Sequence, residues 1–96
     1  MPAYVIAYTG DFRDAAALQE YRRRNTDAVA NHGGRFLARG GAVEVLEGPW
    51  PWERCVLIEF PDADAAHAWH ASEEYAPLKA MRQGASTTQL ILADGA

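Results

Sequence analysis

The chain has 96 residues, a formal net charge of −4 and a composition 49% apolar and 23% charged, which predicts one globular domain able to bury a core without disulfides or metal. The acidic balance excludes a general nucleic-acid binder, since phosphate backbones demand a basic face. No apolar run approaches the ~18 residues that a membrane span requires, so no membrane association is expected.

The start, Met1-Pro2-Ala3-Tyr4-Val5, lacks the basic and long apolar stretches of a secretory signal. Cys55 is the single cysteine and has no internal partner. A cytoplasmic protein with an inert thiol is the expectation.

In Ala3 to Thr9, Tyr4, Ile6 and Tyr8 alternate with Val5 and Ala7, which predicts a strand apolar on both faces. From Asp14 the period becomes helical: Leu18, Tyr21, Asn25, Ala28, Val29 and His32 recur at offsets of three, four and seven. Asp14 is placed to cap this helix and Gly33-Gly34 to stop it. Arg22-Arg23-Arg24 fans around the helix at ~100° steps and reads as a solvated face.

Arg35 to Ala38 and Val43 to Glu47 read as a second strand interrupted at Gly40-Gly41, where a bulge or a ligand would approach the backbone. Gly48-Pro49-Trp50-Pro51-Trp52 is the expected turn, followed by a third strand, Glu53 to Phe60. The predicted register sets Glu47 opposite Arg54, Val45 opposite Val56 and Val43 opposite Ile58.

Asp62 is placed to cap a second helix with Ala65, Ala66 and Trp69 as its buried stripe. Ser72-Glu73-Glu74 starts a short helix over Tyr75 to Met81, ended by Gly84, and Thr87 to Ala93 is the last strand. The order β-α-β-β-α-β is an α+β, ferredoxin-like plan: a four-stranded antiparallel sheet with its helices on one face. The other face is apolar too, which predicts a homodimer packed sheet against sheet, forming a dimeric α+β barrel.

Gly33-Gly34-x-Phe36-Leu37-x-Arg39-Gly40-Gly41, Leu46-Glu47-Gly48-x-Trp50, Arg54, Ile58-Glu59-Phe60 and Ser72-x-Glu74-Tyr75 together resemble the small bacterial family called domain of unknown function 1330. The resemblance runs from Tyr4 to Gly95 and implies the dimeric α+β barrel superfamily. It implies no single activity, because that superfamily spans cofactor-free monooxygenases, isomerases, haem enzymes and ligand-sensing modules. His70 stands where the family would be expected to carry an aromatic residue such as Tyr.

Ionisable residues in apolar strands need partners or a ligand, and they supply the candidate site. Arg39 beside Gly40 and Gly41 is suited to hold a carboxylate or enolate through two parallel hydrogen bonds, and equally to satisfy carbonyls freed by a bulge. Glu59, between Ile58 and Phe60, is a candidate proton carrier, as is His70; a structural partner such as an arginine or a helix hydroxyl explains Glu59 equally well. Alternation puts Glu59 on the face of Cys55 and Leu57, opposite to Arg54.

Trp50, Trp52, Trp69 and Tyr75 are the expected aromatic wall of a sheet–helix cleft for a small anionic or aromatic ligand, or alternatively anchors of a dimer seam. His67 and His70 lie three apart on one helix with Glu74 four further on, but the helix is not expected to run past Ser72 and no cysteine or third histidine joins them, so no metal is expected. There is no nucleotide-cradling glycine loop and no nucleophile elbow, so no cofactor is expected. Two functions stand: cofactor-free proton-transfer, isomerase or monooxygenase-like chemistry, or a non-catalytic ligand-binding or assembly module.

Overall fold

The computed structural model describes residues 1–96. Its elements are β1 (Ala3–Gly10), α1 (Ala15–Asn31), β2 (Arg35–Arg39), β3 (Arg54–Phe60), α2 (Ala63–Ala71), α3 (Ala76–Ala85) and β4 (Thr87–Asp94). The strands form one antiparallel sheet in the order β2-β3-β1-β4. This is the ferredoxin-like plan, with the second crossover broken into two helices where Ser72 interrupts the chain.

Each helix starts where the sequence provides an acceptor. The Asp14 carboxylate accepts from the Ala17 N–H at 3.0 Å and that of Asp62 from the Ala65 N–H at 2.8 Å. Ser72 Oγ accepts from the Tyr75 N–H at 3.1 Å and fixes the new direction of α3. Gly84 does not end α3; the helix continues through Ala85, and Ser86 closes it by donating its backbone N–H to the Arg82 carbonyl at 3.0 Å.

The core lies between the helices and the sheet face that carries Val5, Ile58 and Phe60. Trp69, Tyr75, Phe60, Leu78 and Val29 are its largest fully buried side chains, each contributing about 1.5–3 kcal/mol through burial. A Cβ on Gly34 would sit 2.7 Å from both Phe60 Cε1 and Val29 Cγ1. Glycine there is what lets the end of α1 close onto the sheet.

The hairpin differs from its expected form. Arg35 pairs with Glu59 and Phe36 with Ile58, then a bulge at Leu37 shifts the ladder so that Arg39 pairs with Val56. Gly40 donates its N–H to the Cys55 carbonyl at 3.1 Å, and pairing stops there. The expected partners Val43–Ile58, Val45–Val56 and Glu47–Arg54 are not formed: Ile58 and Val56 are taken by Phe36 and Arg39 of β2, seven and six residues out of the predicted register. Residues 40–53 instead make a long connection that leaves Val43, Val45 and Leu46 exposed. Glu53 N–H bonds the Thr9 carbonyl at 3.0 Å and returns the chain to β1.

Candidate functional site

The core contains a cavity of about 60 Å³ between α1 and the sheet, bordered by Tyr21, Arg22, Asn25, Arg39, Trp69 and Arg82 among others. Tyr21 and Asn25 are four apart on α1 and so share its inner face. β2 supplies Arg39 because the bulge at Leu37 returns it to the helix side with Phe36. α2 delivers Trp69 and α3 delivers Arg82.

Arg39 is docked against α1. Its Nη1 donates to Thr26 Oγ1 at 2.7 Å, its Nη2 donates to the Arg22 carbonyl, and its guanidinium lies 3.8 Å over the Phe36 ring centroid. Burial first, and the neighbouring Arg22 charge second, hold its pKa below the ordinary arginine value. Arg82 is only 8% exposed and donates from Nε to Tyr75 Oη at 3.4 Å.

The ion pairs of the chain are Arg13–Asp11, Arg23–Glu20 and Arg35–Glu59. None involves Arg22, Arg39, Arg54 or Arg82. In an acidic protein, the guanidiniums gathered on this cavity and its mouth are thus without a carboxylate, as is Arg24 on the outer face of α1.

Gly40 has φ +73°, and a Cβ there would meet Arg54 Cδ at 2.7 Å and Arg22 Nη2 at 2.9 Å. Its role is to let two arginines close over the backbone at the mouth. Gly41 has open space around its Cα. Arg54 also lies 4.9 Å over the Phe12 ring, and burial, with the Arg22 charge next, lowers its pKa. The expected Glu47–Arg54 bridge is replaced by this stacking.

Polar side chains behind the cavity form a continuous network. Trp69 Nε1 donates to Asn25 Oδ1 at 3.2 Å, and Asn25 Nδ2 donates to Tyr21 Oη at 3.4 Å. Tyr21 and Tyr75 join hydroxyls at 2.8 Å. Trp69 stacks on Tyr75 with ring centroids 4.3 Å apart. Burial, followed by the Tyr75 neighbour, pushes the Tyr21 phenol far above its ordinary range, so it stays protonated.

The expected site residues divide among three places. Arg39 and Trp69 border the cavity, Gly40 lies at its mouth, and Tyr75 packs behind Trp69 without bordering the cavity. His70 lies with His67, Ala66 and Leu90 on a second cavity of about 200 Å³ between α2 and β4, and Trp69 borders both. Its pKa is lowered by burial first, then by Lys79, Arg82 and His67.

Glu59 accepts from Arg35 Nε at 2.9 Å and stands on the sheet face away from the helices. The chain therefore does not bring Glu59 and Arg39 into one site. Trp50 and Trp52 do not join Trp69 and Tyr75 either; they pack on Tyr8, with centroids 5.1 and 6.4 Å away, at the end of the open face. Tyr21, Asn25 and Arg82 were not singled out as site residues from sequence. An asparagine and a tyrosine inside the apolar stripe of α1 were the available signal, whereas Arg82 carried none.

The family model described as domain of unknown function (DUF1330) matches residues 2–96. The chain belongs to that family. No curated protein matches the sequence. Among solved structures, a protein of unknown function from Rhodopseudomonas palustris is similar at TM-score 0.80 and 20% identity, over 99% of this chain and 82% of that one. SnoaB from Streptomyces nogalater, a cofactor-independent oxygenase, is similar at TM-score 0.62 and 16% identity, over 99% and 92%. A dimeric protein of unknown function and ferredoxin-like fold from Bacteroides fragilis is similar at TM-score 0.57 and 10% identity, over 98% and 95%. At these identities the likeness to the DUF1330 chain is one of fold.

Proposed function

We propose that this protein binds a small anionic or aromatic molecule in the cavity between α1 and the sheet, and acts on it by cofactor-free proton-transfer, isomerase or monooxygenase-like chemistry. The observation that carries the reading is that Arg39 and Arg82 border one cavity and neither has a carboxylate partner. A buried guanidinium without a counter-ion is costly, and a bound anion removes that cost.

Arg39 and Arg82 hold the anionic group, Trp69 borders it with Tyr75 packed behind, and Gly40 keeps the backbone at the mouth low. An enolate or phenolate formed on the ligand is the electron-rich species such chemistry needs, and fixed N–H donors stabilise it more than its neutral parent. His70 is the proton carrier in this proposal; it faces the adjoining cavity between α2 and β4, which shares Trp69 with this one, and its ring centroid is 6.0 Å from that of Tyr75. The cofactor-independent oxygenase among the structural neighbours supports this class of chemistry.

Glu59, Gly41 and Trp50 belong in this proposal to a homodimer formed through the open sheet face. The exposed Ile91 and the exposed Leu46 of the long connection support a covered face. So does the dimeric neighbour from Bacteroides fragilis. Lone Cys55 fits a cytoplasmic location. Sedimentation of wild type and Ile91→Glu tests the dimer: the wild type is expected to sediment as a dimer and the variant as a monomer.

A second reading, a non-catalytic ligand-binding module, is favoured by the absence of any carboxylate or imidazole on the cavity wall. A thermal-shift screen of carboxylated and aromatic metabolites tests both. A ligand at a hundred times its Kd stabilises the fold by ~2.7 kcal/mol, and the shift is expected in wild type and absent in Arg39→Ala. Turnover of that ligand then separates enzyme from binding module. Equal shifts in wild type and Arg39→Ala would refute the assignment of Arg39.

A further inference from the structure

The hydrogens around the cavity reveal the chemical class of the group it receives. Trp69 Nε1 and Asn25 Nδ2 donate along the network toward Tyr21, and Arg82 Nε donates to Tyr75. The two phenols then share one hydrogen bond at 2.8 Å, which uses one of their two hydrogens. Whichever way that bond runs, one phenolic hydrogen has no acceptor in the chain.

Tyr75 is 0% exposed and does not border the cavity, whereas Tyr21 does. The direction that strands no hydrogen in the core has Tyr75 donating to Tyr21, and the Tyr21 O–H turned to the cavity. Arg82, more than nine-tenths buried, borders the same space, and its two Nη nitrogens meet no acceptor in the chain. The side-chain acceptors on the wall are already engaged: Asn25 Oδ1 by Trp69, Tyr21 Oη by Asn25 and Tyr75, and Thr9 Oγ1 by Thr88 at 3.4 Å.

We propose that the cavity is a receptor for a deprotonated oxygen acid, a carboxylate or an enolate, held by the Tyr21 hydroxyl and the Arg82 guanidinium, and that it rejects groups that present donors. This rests on the reading of the cavity as the ligand site and adds the residues that decide which head group enters. At about 60 Å³ the space is well under the ~150 Å³ that admits benzene. The acid group therefore sits inside, and any ring lies outward, past Arg39 and Arg22, which border both the cavity and the surface depression at its mouth.

The test is a titration of benzoate against benzamide, and of acetate against acetamide, followed by backbone amide shifts in wild type, Tyr21→Phe and Arg82→Gln. The acids are expected to bind and the amides not, because an amide sets N–H against O–H and N–H. Tyr21→Phe is expected to weaken benzoate by about ten-fold, the order a hydrogen bond to a charged acceptor supplies, and Arg82→Gln to abolish binding. Tyr21→Phe nearly conserves volume and decides the matter where Arg82→Gln does not fold.

Equal binding of acid and amide, or unchanged benzoate affinity in Tyr21→Phe, overturns this inference while leaving the cavity a ligand site. Binding of neither acid nor amide to wild type overturns the underlying reading as well.

Discussion

The hydroxyls of Tyr21 and Tyr75 meet at 2.8 Å, 54 residues apart in sequence, and tie the middle of α1 to the start of α3. Asn25 and Arg82 join at either end of this pair, so Tyr21, Asn25, Trp69 and Arg82 of the cavity wall are held by one network. Replacing Tyr75 by Phe leaves the Arg82 Nε–H without its acceptor in the core. The variant is expected to lose about 1–3 kcal/mol, read as a lower urea midpoint with an unchanged slope.

Tyr21 makes stability fall in alkali. Burial, then Tyr75, raises its folded-state pKa above the ordinary 10.0. The folded protein keeps the proton that the unfolded chain gives up, so this contribution is complete below pH 10 and is lost as pH rises above it. Urea midpoints measured from pH 9 upward are expected to drop more steeply in wild type than in Tyr21→Phe.

His70 acts at the other end of the scale. Its folded-state pKa is lowered from 6.5 by burial, Lys79, Arg82 and His67. The unfolded chain therefore binds the proton more readily, and the contribution present above pH 6.5 is lost as pH falls through the lowered value. His70→Gln is expected to flatten the stability profile below pH 6.5, and an imidazole titration followed by NMR should show His70 protonating below 6.5.

Glycines of the β2 segment have unequal weight. A methyl group on Gly34 would meet Phe60 and Val29, both buried, whereas one on Gly41 meets nothing within 4 Å. Gly34→Ala is expected to cost about 1–3 kcal/mol by overpacking, and Gly41→Ala to leave the thermal midpoint within error of wild type.

The strand and helix order was legible because each element declared itself locally: alternation in β1, the three–four spacing from Leu18 to Val29, and aspartates at both caps. The hairpin register was not. At Val56 the shift is six residues, which preserves the face each side chain takes, so alternation alone cannot distinguish Val45 opposite Val56 from the observed Arg39 opposite Val56. Glu59 was placed on the correct face, and its pairing with Arg35 follows from a register that only the bulge reveals.

Arg39 stood out because a charge beside two glycines breaks the pattern of a strand. Arg82 sits on a short helix whose inner face is set by how α3 packs on α1, a tertiary relationship with no local signal. Arg22 read as part of a solvated run, yet its guanidinium reaches over Gly40 to Arg54.

Arg39 and Arg82, guanidiniums without a carboxylate that border one cavity, are the proposed ligand site. Nitrogen-15 spectra of the arginine side chains, recorded during a benzoate titration and assigned with Arg→Lys variants, test it most directly. The Nε–H signals of Arg39 and Arg82 are expected to move together and saturate, while Arg23 and Arg35, already paired with Glu20 and Glu59, stay in place. Movement confined to Arg23, Arg24 and Arg35, or none at all, would contradict it.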